Sequence, residues 1–162
     1  MGLDMYLYKR EYFSSYDFKN TEERENHEAV KFRVTVETVF PNGYIKTQRT
    51  EADKPDVGLE LYMPVCYWRK ANAIHKWFCD LDRGRDECQD IFVDGSKLKE
   101  LVELCQYVLK HKKEAKEKLP TQDGFFFGST EYDKYYFDDL EYTVNKLKDC
   151  DFNADYIYRA SW

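Results

Sequence analysis

Residues 30–50 read VKFRVTVETVFPNGYIKTQRT and predict a β-hairpin. Apolar and polar residues alternate over residues 30–40, which is the pattern of a strand with one buried face. Pro41-Asn42-Gly43 supplies a turn, and residues 44–50 return as the partner strand. Because the two arms of a hairpin pair in opposite directions, the stretch predicts an antiparallel sheet.

Further strands and three helices are expected around this hairpin. The strands are predicted at residues 3–9, 59–63, 91–93 and 156–160, with Pro64 closing the second of these. The helices are predicted at residues 67–82, 96–118 and 131–149. Residues 11–29 predict a long loop or an irregular insertion, and residues 51–56 a charged linker. We therefore predict a single α+β domain over residues 1–162, in which a small, mostly antiparallel sheet packs against about three helices.

Each predicted helix carries an apolar stripe that is typical of a core-facing surface. The stripes are Ala71, Ile74, Phe78 and Leu81 in the first helix, Leu98, Leu101, Val102, Cys105, Val108 and Leu109 in the second, and Phe137, Leu140, Val144 and Leu147 in the third. In the first strand Leu3, Met5 and Leu7 alternate with more polar residues, which predicts that these three are buried.

The composition indicates a folded, acidic chain. Its 162 residues carry a net charge of −6, which argues against general nucleic-acid binding because phosphate contacts need an excess of Lys and Arg. No stretch approaches the ~18 apolar residues of a membrane span, and the first residues lack the pattern of a signal peptide. The five cysteines are odd in number and form no CxxC pair, so we expect reduced thiols and a cytoplasmic protein.

A first candidate site lies in residues 124–133, which read GFFFGSTEYD. Three consecutive aromatics, Phe125, Phe126 and Phe127, stand between two glycines and precede a predicted helix. Ser129 or Thr130 is expected to cap that helix, and free backbone N–H groups at its start would attract an anion. The phenyl rings would add a flat apolar wall.

A second candidate site lies on the first predicted helix, which is basic and aromatic in an otherwise acidic protein. Arg69 and Lys76 could bind a phosphate or a carboxylate, and Trp68 could stack on a planar group. Asn72 and His75 would orient the ligand through hydrogen bonds. The alternative is that Trp68 and His75 belong to the core and that the cations merely balance the acids.

Metal binding and catalysis have weaker support in the sequence. His75 and Cys79 stand at i and i+4 and could share a zinc ion, but further ligands would have to come from Cys66, Cys88 or His111 without recognisable spacing. We therefore expect no metal, no cofactor and no nucleophilic cysteine. The acidic residues of the third helix are interpreted structurally, since Asp133 fits a capping box with Thr130 and Asp138 and Asp139 point to different sides.

Three blocks of the sequence carry a resemblance to known proteins. They are MGLDMYL at residues 1–7, YWRKANAIHKWF at residues 67–78 and LPTQDGFFFGSTEYD at residues 119–133. Together they resemble a family of small uncharacterised proteins encoded by bacteriophages and prophages. The resemblance implies an accessory protein that acts in the cytoplasm of a bacterial host, where counter-defence is a common task. It implies no particular activity.

Two classes of function compete at this stage. The first is a non-catalytic binder of a small anionic or nucleotide-like molecule, held by the ten residues Trp68, Arg69, Asn72, His75, Lys76, Phe125, Phe126, Phe127, Ser129 and Thr130. The second is an acidic inhibitor of a host defence protein or a nucleic-acid-binding protein. An enzyme that acts on a nucleotide is a third class. If the two motifs form one site, Trp68, His75 and Phe126 should converge in one cleft.

Overall fold

A computed structural model of the chain describes residues 2–14, 44–48 and 58–162. Within these ranges the strands are β1 (Asp4–Ser14), β2 (Tyr44–Gln48), β3 (Gly58–Arg69), β4 (Ile91–Asp94) and β5 (Asp155–Ser161). The helices are α1 (Asn72–Leu81), α2 (Gly95–Lys110), α3 (Ala115–Lys118) and α4 (Lys134–Leu147), with a 3-10 turn at Lys112–Glu114. The predicted α+β fold class is confirmed.

The chain forms two compact units, and β1 and β3 each run through both. The larger unit comprises Met1–Leu7 and Val65–Trp162, with strand order β3-β1-β5-β4, and in it β4 pairs antiparallel with β5. The smaller unit comprises Tyr8–Pro64, with strand order β2-β3-β1, and in it β2 pairs antiparallel with β3. The antiparallel pairing is thus confirmed, and the single domain over residues 1–162 stays a prediction.

The core of the larger unit follows the predicted apolar pattern. Leu3, Met5 and Leu7 are fully buried, as their alternation along the first strand requires. The fully buried members of the helical stripes are Ile74, Phe78, Leu98, Leu101, Cys105, Val108, Leu140 and Leu147. Helices α2 and α4 pack against each other through these faces. Apolar periodicity therefore located the core correctly.

The boundary between β3 and α1 differs from the prediction. The strand continues past Pro64 to Arg69, so residues 67–69 are extended and the helix begins only at Asn72. Its register with β2 runs from Gly58 to Tyr62, so Pro64 lies beyond that ladder and its missing N–H costs no hydrogen bond there. Burial alternates along the end of the strand, because Cys66 and Trp68 are buried while Tyr67 and Arg69 are exposed.

The other two helices are shorter than predicted. The second ends at Lys110 because His111 leaves the helical conformation and its ring bonds back to the carbonyl of Tyr107, at 2.9 Å. The third starts at Lys134, where the Asp133 side chain accepts hydrogen bonds from the N–H groups of Tyr135 and Tyr136. The predicted caps Ser129 and Thr130 are wrong, and so is the capping box.

Three predictions fall wholly or partly outside the described residues. They are the first arm of the hairpin with its turn, residues 15–29 of the predicted insertion and the linker over residues 51–56. Residues 11–14, which were predicted to begin that insertion, instead continue β1, so the prediction is wrong there. The second arm is confirmed as β2, and its partner among the described strands is β3.

Candidate functional site

Trp68 and His75 belong to the packed interior of the larger unit. The indole N–H of Trp68 donates to Thr143 Oγ1 at 2.9 Å, and its ring lies 5.9 Å from that of Phe78. The His75 ring meets the edge of Phe127 at 5.1 Å and is 1% exposed. Both side chains are therefore closed to a stacking ligand, and the core interpretation of these rings holds.

The three phenylalanines of the 124–128 turn point in different directions. Phe125 is 96% exposed, Phe126 is half-buried and Phe127 is buried in the core. Phe127 closes the turn through its N–H, which donates to Gly124 O at 3.0 Å. A Cβ at Gly124 would stand 2.6 Å from the Phe127 ring, so the glycine is required by close packing. The rings do not form one flat wall.

Asn72 holds the start of α1 to this turn. Its side-chain amide donates to the carbonyls of Phe127, at 3.1 Å, and Ser129, at 2.7 Å. Its Oδ1 lies 3.4 Å from the backbone nitrogen of Gln122. Because Asn72 is buried, these bonds replace water for both partners and fix the two motifs side by side.

A cleft of about 390 Å³ lies beside this junction. It opens between the end of β3, the start of α1 and the first turns of α4. It is lined by Arg69, Lys70, Ala71, Asn72, Ala73, Ile74, Thr121, Gly128, Ser129, Glu131, Asp133, Tyr135, Tyr136, Asp138, Asp139 and Leu140. The volume is that of a site for a small molecule.

Three of the ten predicted site residues line this cleft, namely Arg69, Asn72 and Ser129. The other seven lie elsewhere: Trp68, His75, Lys76, Phe125, Phe126, Phe127 and Thr130. Lys76 pairs with Asp80 along the exposed side of α1, at 2.7 Å. Trp68, His75 and Phe126 do not line this cleft, so the prediction that they converge is wrong here. The two sequence motifs do meet, but through Asn72 and Ser129 rather than through their rings.

The charges of the cleft are mixed. Arg69 and Lys70 lie at the end of β3, while Glu131, Asp133, Asp138 and Asp139 approach from α4 and the residues before it. Asp138 pairs with Lys134, and Asp133 caps the helix. Among the described residues, nothing forms a hydrogen bond or an ion pair with the side chains of Arg69, Lys70, Glu131 or Asp139. These four groups are available to a ligand.

Asp139 is the most perturbed acid of the cleft. Burial, and after it the neighbouring carboxylates of Asp138 and Asp133, raise its pKa from 3.8 to about 6. A carboxyl group with a shifted pKa that faces a cleft is a mark of a functional site. The sequence contained only a weak signal for it, since two adjacent acids on a helix are ordinary surface residues.

A second cluster of reactive groups surrounds His75. Its Nε2 lies 3.0 Å from Asp86 Oδ1 and 3.6 Å from Cys79 Sγ, and its Nδ1 lies 2.7 Å from the Tyr158 hydroxyl. Burial and the nearby Asp86 carboxylate raise the pKa of the Cys79 thiol to about 12. The thiol is therefore protonated at neutral pH and is a poor nucleophile. The thiol and the carboxylate also share one ring nitrogen, unlike the arrangement in a Cys-His-Asp relay.

Comparisons with protein families, with curated proteins and with solved structures find no match to this chain. Among the described helices, none has the length and apolar character needed to cross a membrane.

Proposed function

We propose that this protein is a non-catalytic binder of a small zwitterionic molecule, which occupies the cleft between β3 and α4. The single observation that carries the proposal is the set of four unpaired charged side chains around one cavity: Arg69 and Lys70 on one side, and Glu131 and Asp139 on the other. Arg69, Lys70 and Glu131 are exposed and Asp139 is half-buried, so a ligand with complementary charges can replace the water around these groups.

The charge balance of the lining refines the anionic or nucleotide-like ligand that the sequence favours. Two cations meet four acids around the cleft, so a molecule with several phosphates would face a surplus of negative charge. A single carboxylate bound by Arg69 and Lys70 and an ammonium group near Asp139 would satisfy both signs. A ligand of amino-acid size also suits a cavity of about 390 Å³.

Isothermal titration calorimetry with a panel of free amino acids, AMP and inorganic phosphate tests the proposal. At least one zwitterion should bind more tightly than AMP or phosphate. Arg69→Ala should weaken that binding by the ~1.5–3 kcal/mol typical of a hydrogen bond to a charged group. Lys76→Ala is the matched control, since Lys76 is a cation of the adjoining helix that lies outside the cleft and pairs with Asp80.

The opposite results would reject the proposal. If AMP or phosphate bound more tightly than any zwitterion, the cleft would be an anion-binding pocket instead. If the Arg69→Ala protein bound the zwitterion as tightly as the wild type, the ligand would bind outside the cleft. A melting curve for each variant separates lost binding from lost structure, and we expect normal melting because Arg69 is exposed.

The second candidate function is the inhibition of a host protein. It is favoured by two exposed rings, Phe125 at 96% and Tyr135 at 77%, because exposed aromatics often anchor protein interfaces. In an assay of phage growth on a defended host, Phe125→Ala should then abolish an effect that Arg69→Ala leaves intact. The phage context rests on the sequence resemblance and stays a prediction, as does the location in a bacterial cytoplasm.

A further inference from the structure

We propose that His75, Cys79 and Asp86 form a binding site for a zinc-like divalent metal ion. One ligand atom from each of the three lies within 4.8 Å of the other two. His75 and Cys79 stand one turn apart on α1, and Asp86 reaches them from the segment that follows the helix. This site is separate from the cleft of the proposed function.

Two of the three ligand separations are close to those around a tetrahedral zinc ion, and the third, between Cys79 Sγ and the Asp86 carboxylate, is within 4.8 Å. Zn–N and Zn–S bonds of about 2.1 and 2.3 Å place two tetrahedral ligand atoms roughly 3.5 Å apart. The observed separation is 3.6 Å from His75 Nε2 to Cys79 Sγ and 3.0 Å from His75 Nε2 to Asp86 Oδ1. A shift of a few tenths of an ångström in the Asp86 carboxylate would bring it to the same spacing.

The charge of the ligand set suits a dication in a buried place. A thiolate and a carboxylate together carry two negative charges, and a neutral imidazole adds none. Bound to a divalent ion they form a neutral unit, which avoids the cost of an unbalanced buried charge. A bound metal ion also removes the thiol proton, which burial otherwise retains. His75 and Cys79 are both buried, at 1% and 3% exposure.

An outer layer of hydrogen bonds already orients the ligands. The Tyr158 hydroxyl contacts His75 Nδ1 at 2.7 Å, which leaves Nε2 to face the metal when Nδ1 carries the proton. Gln122 donates to Asp86 Oδ2 at 2.9 Å, and the Trp162 indole donates to Asp86 Oδ1 at 3.0 Å. Such partners are typical of metal sites, where they fix the orientation of each ligand.

The ligand types select the metal. One nitrogen, one sulfur and one oxygen favour zinc and its neighbours among the transition metals, whereas magnesium and calcium prefer oxygen alone. Among the described residues, the cluster contains three protein ligands, so the fourth tetrahedral position is open to a water molecule.

Titration with Co²⁺ tests the site, because a tetrahedral Co²⁺–thiolate centre absorbs visible and near-ultraviolet light. Chelator-treated protein should bind one Co²⁺ per chain with a thiolate charge-transfer band, and Zn²⁺ should displace it. Cys79→Ser should lose that band, and Asp86→Asn should weaken binding by more than the roughly 10- to 100-fold that outer-layer changes cost.

Two controls keep the result clear. Cys150→Ser removes a half-buried thiol that lies after α4, outside the cluster, and should leave the spectrum unchanged. If the melting curve shows that Cys79→Ser does not fold, Asp86→Asn serves as the test, because Asp86 is partly exposed. The proposal is overturned if the wild-type protein binds no stoichiometric Co²⁺ or Zn²⁺. It is equally overturned if the band survives in Cys79→Ser.

Discussion

At the scale of single residues, Asp139 shows how position alone can change an ordinary acid. Its chemistry is that of any aspartate, but burial raises its pKa to about 6. The folded state therefore binds a proton more tightly than the unfolded chain, whose aspartate keeps a value near 3.8. The stability that this proton contributes is fully present below pH 3.8 and is lost as the pH rises through 6.

Asp139→Asn should consequently stabilise the protein at pH 8 by about 1–3 kcal/mol, since the amide avoids burying a charge. The gain should shrink towards zero as the pH falls to 4. Urea unfolding at the two pH values measures it. Asp138→Asn is the control, because Asp138 is exposed and pairs with Lys134, and it should show no comparable pH-dependent gain. An equal effect of Asp139→Asn at both pH values would contradict the assignment.

At the scale of elements, the start of α4 depends on one side chain. The sequence offers Ser129, Thr130 and Asp133 as caps, and only the last accepts hydrogen bonds from the first free N–H groups of the helix. Ser129 instead accepts from the N–H of Glu131 in the preceding turn, at 3.1 Å. A helix begins where geometry allows a side chain to reach its orphan donors, and composition alone does not fix that point.

Asp133→Ala should therefore cost about 1 kcal/mol of stability, with a fall in helical circular dichroism. Thr130→Ala should change the midpoint of denaturation little, since the Thr130 side chain does not cap the helix. Chemical denaturation of the two variants beside the wild type makes the comparison. If Thr130→Ala proved the more damaging change, the observed start of α4 would be wrong.

At the scale of the molecule, Gly95 occupies a position where a tertiary contact requires glycine although helix propensity favours alanine. It is the first residue of α2, where alanine would ordinarily favour the helix by up to about 1 kcal/mol. A Cβ there would stand 2.7 Å from the carbonyl oxygens of Phe152 and Ala154, which belong to the backbone before β5. Its N–H also donates to Ala154 O, at 2.9 Å. Tertiary packing thus outweighs helix propensity here.

Gly95→Ala should destabilise the protein by about 1–3 kcal/mol, the usual cost of overpacking, because backbone atoms cannot move aside as a flexible side chain can. Gln106→Ala, at an exposed position of the same helix, should be neutral or slightly stabilising. Thermal unfolding of both variants is sufficient. A Gly95→Ala protein that melts at or above the wild-type temperature would show that the two segments lie farther apart.

The sequence by itself determined the features that depend on local periodicity. The alternation of Leu3, Met5 and Leu7, the short strand β4 and the stripes of α2 and α4 follow from spacing of two or about 3.6 residues. A hydrophobic pattern reports which face of an element is buried. Together with the turn signal at Pro41-Asn42-Gly43, this pattern predicted an α+β fold with an antiparallel sheet.

Only the tertiary structure decided which residues meet. The extension of β3 to Arg69 turned Trp68 inwards, and Asn72 joined two motifs more than 50 positions apart. The cleft combines residues from distant segments, so no spacing in the chain indicates it. In the His75 cluster the i, i+4 spacing of His75 and Cys79 is visible in the sequence, and only the fold adds Asp86 to the pair. Burial and hydrogen bonding depend on which residues are close in space. Periodicity along the chain does not specify which distant residue a side chain contacts.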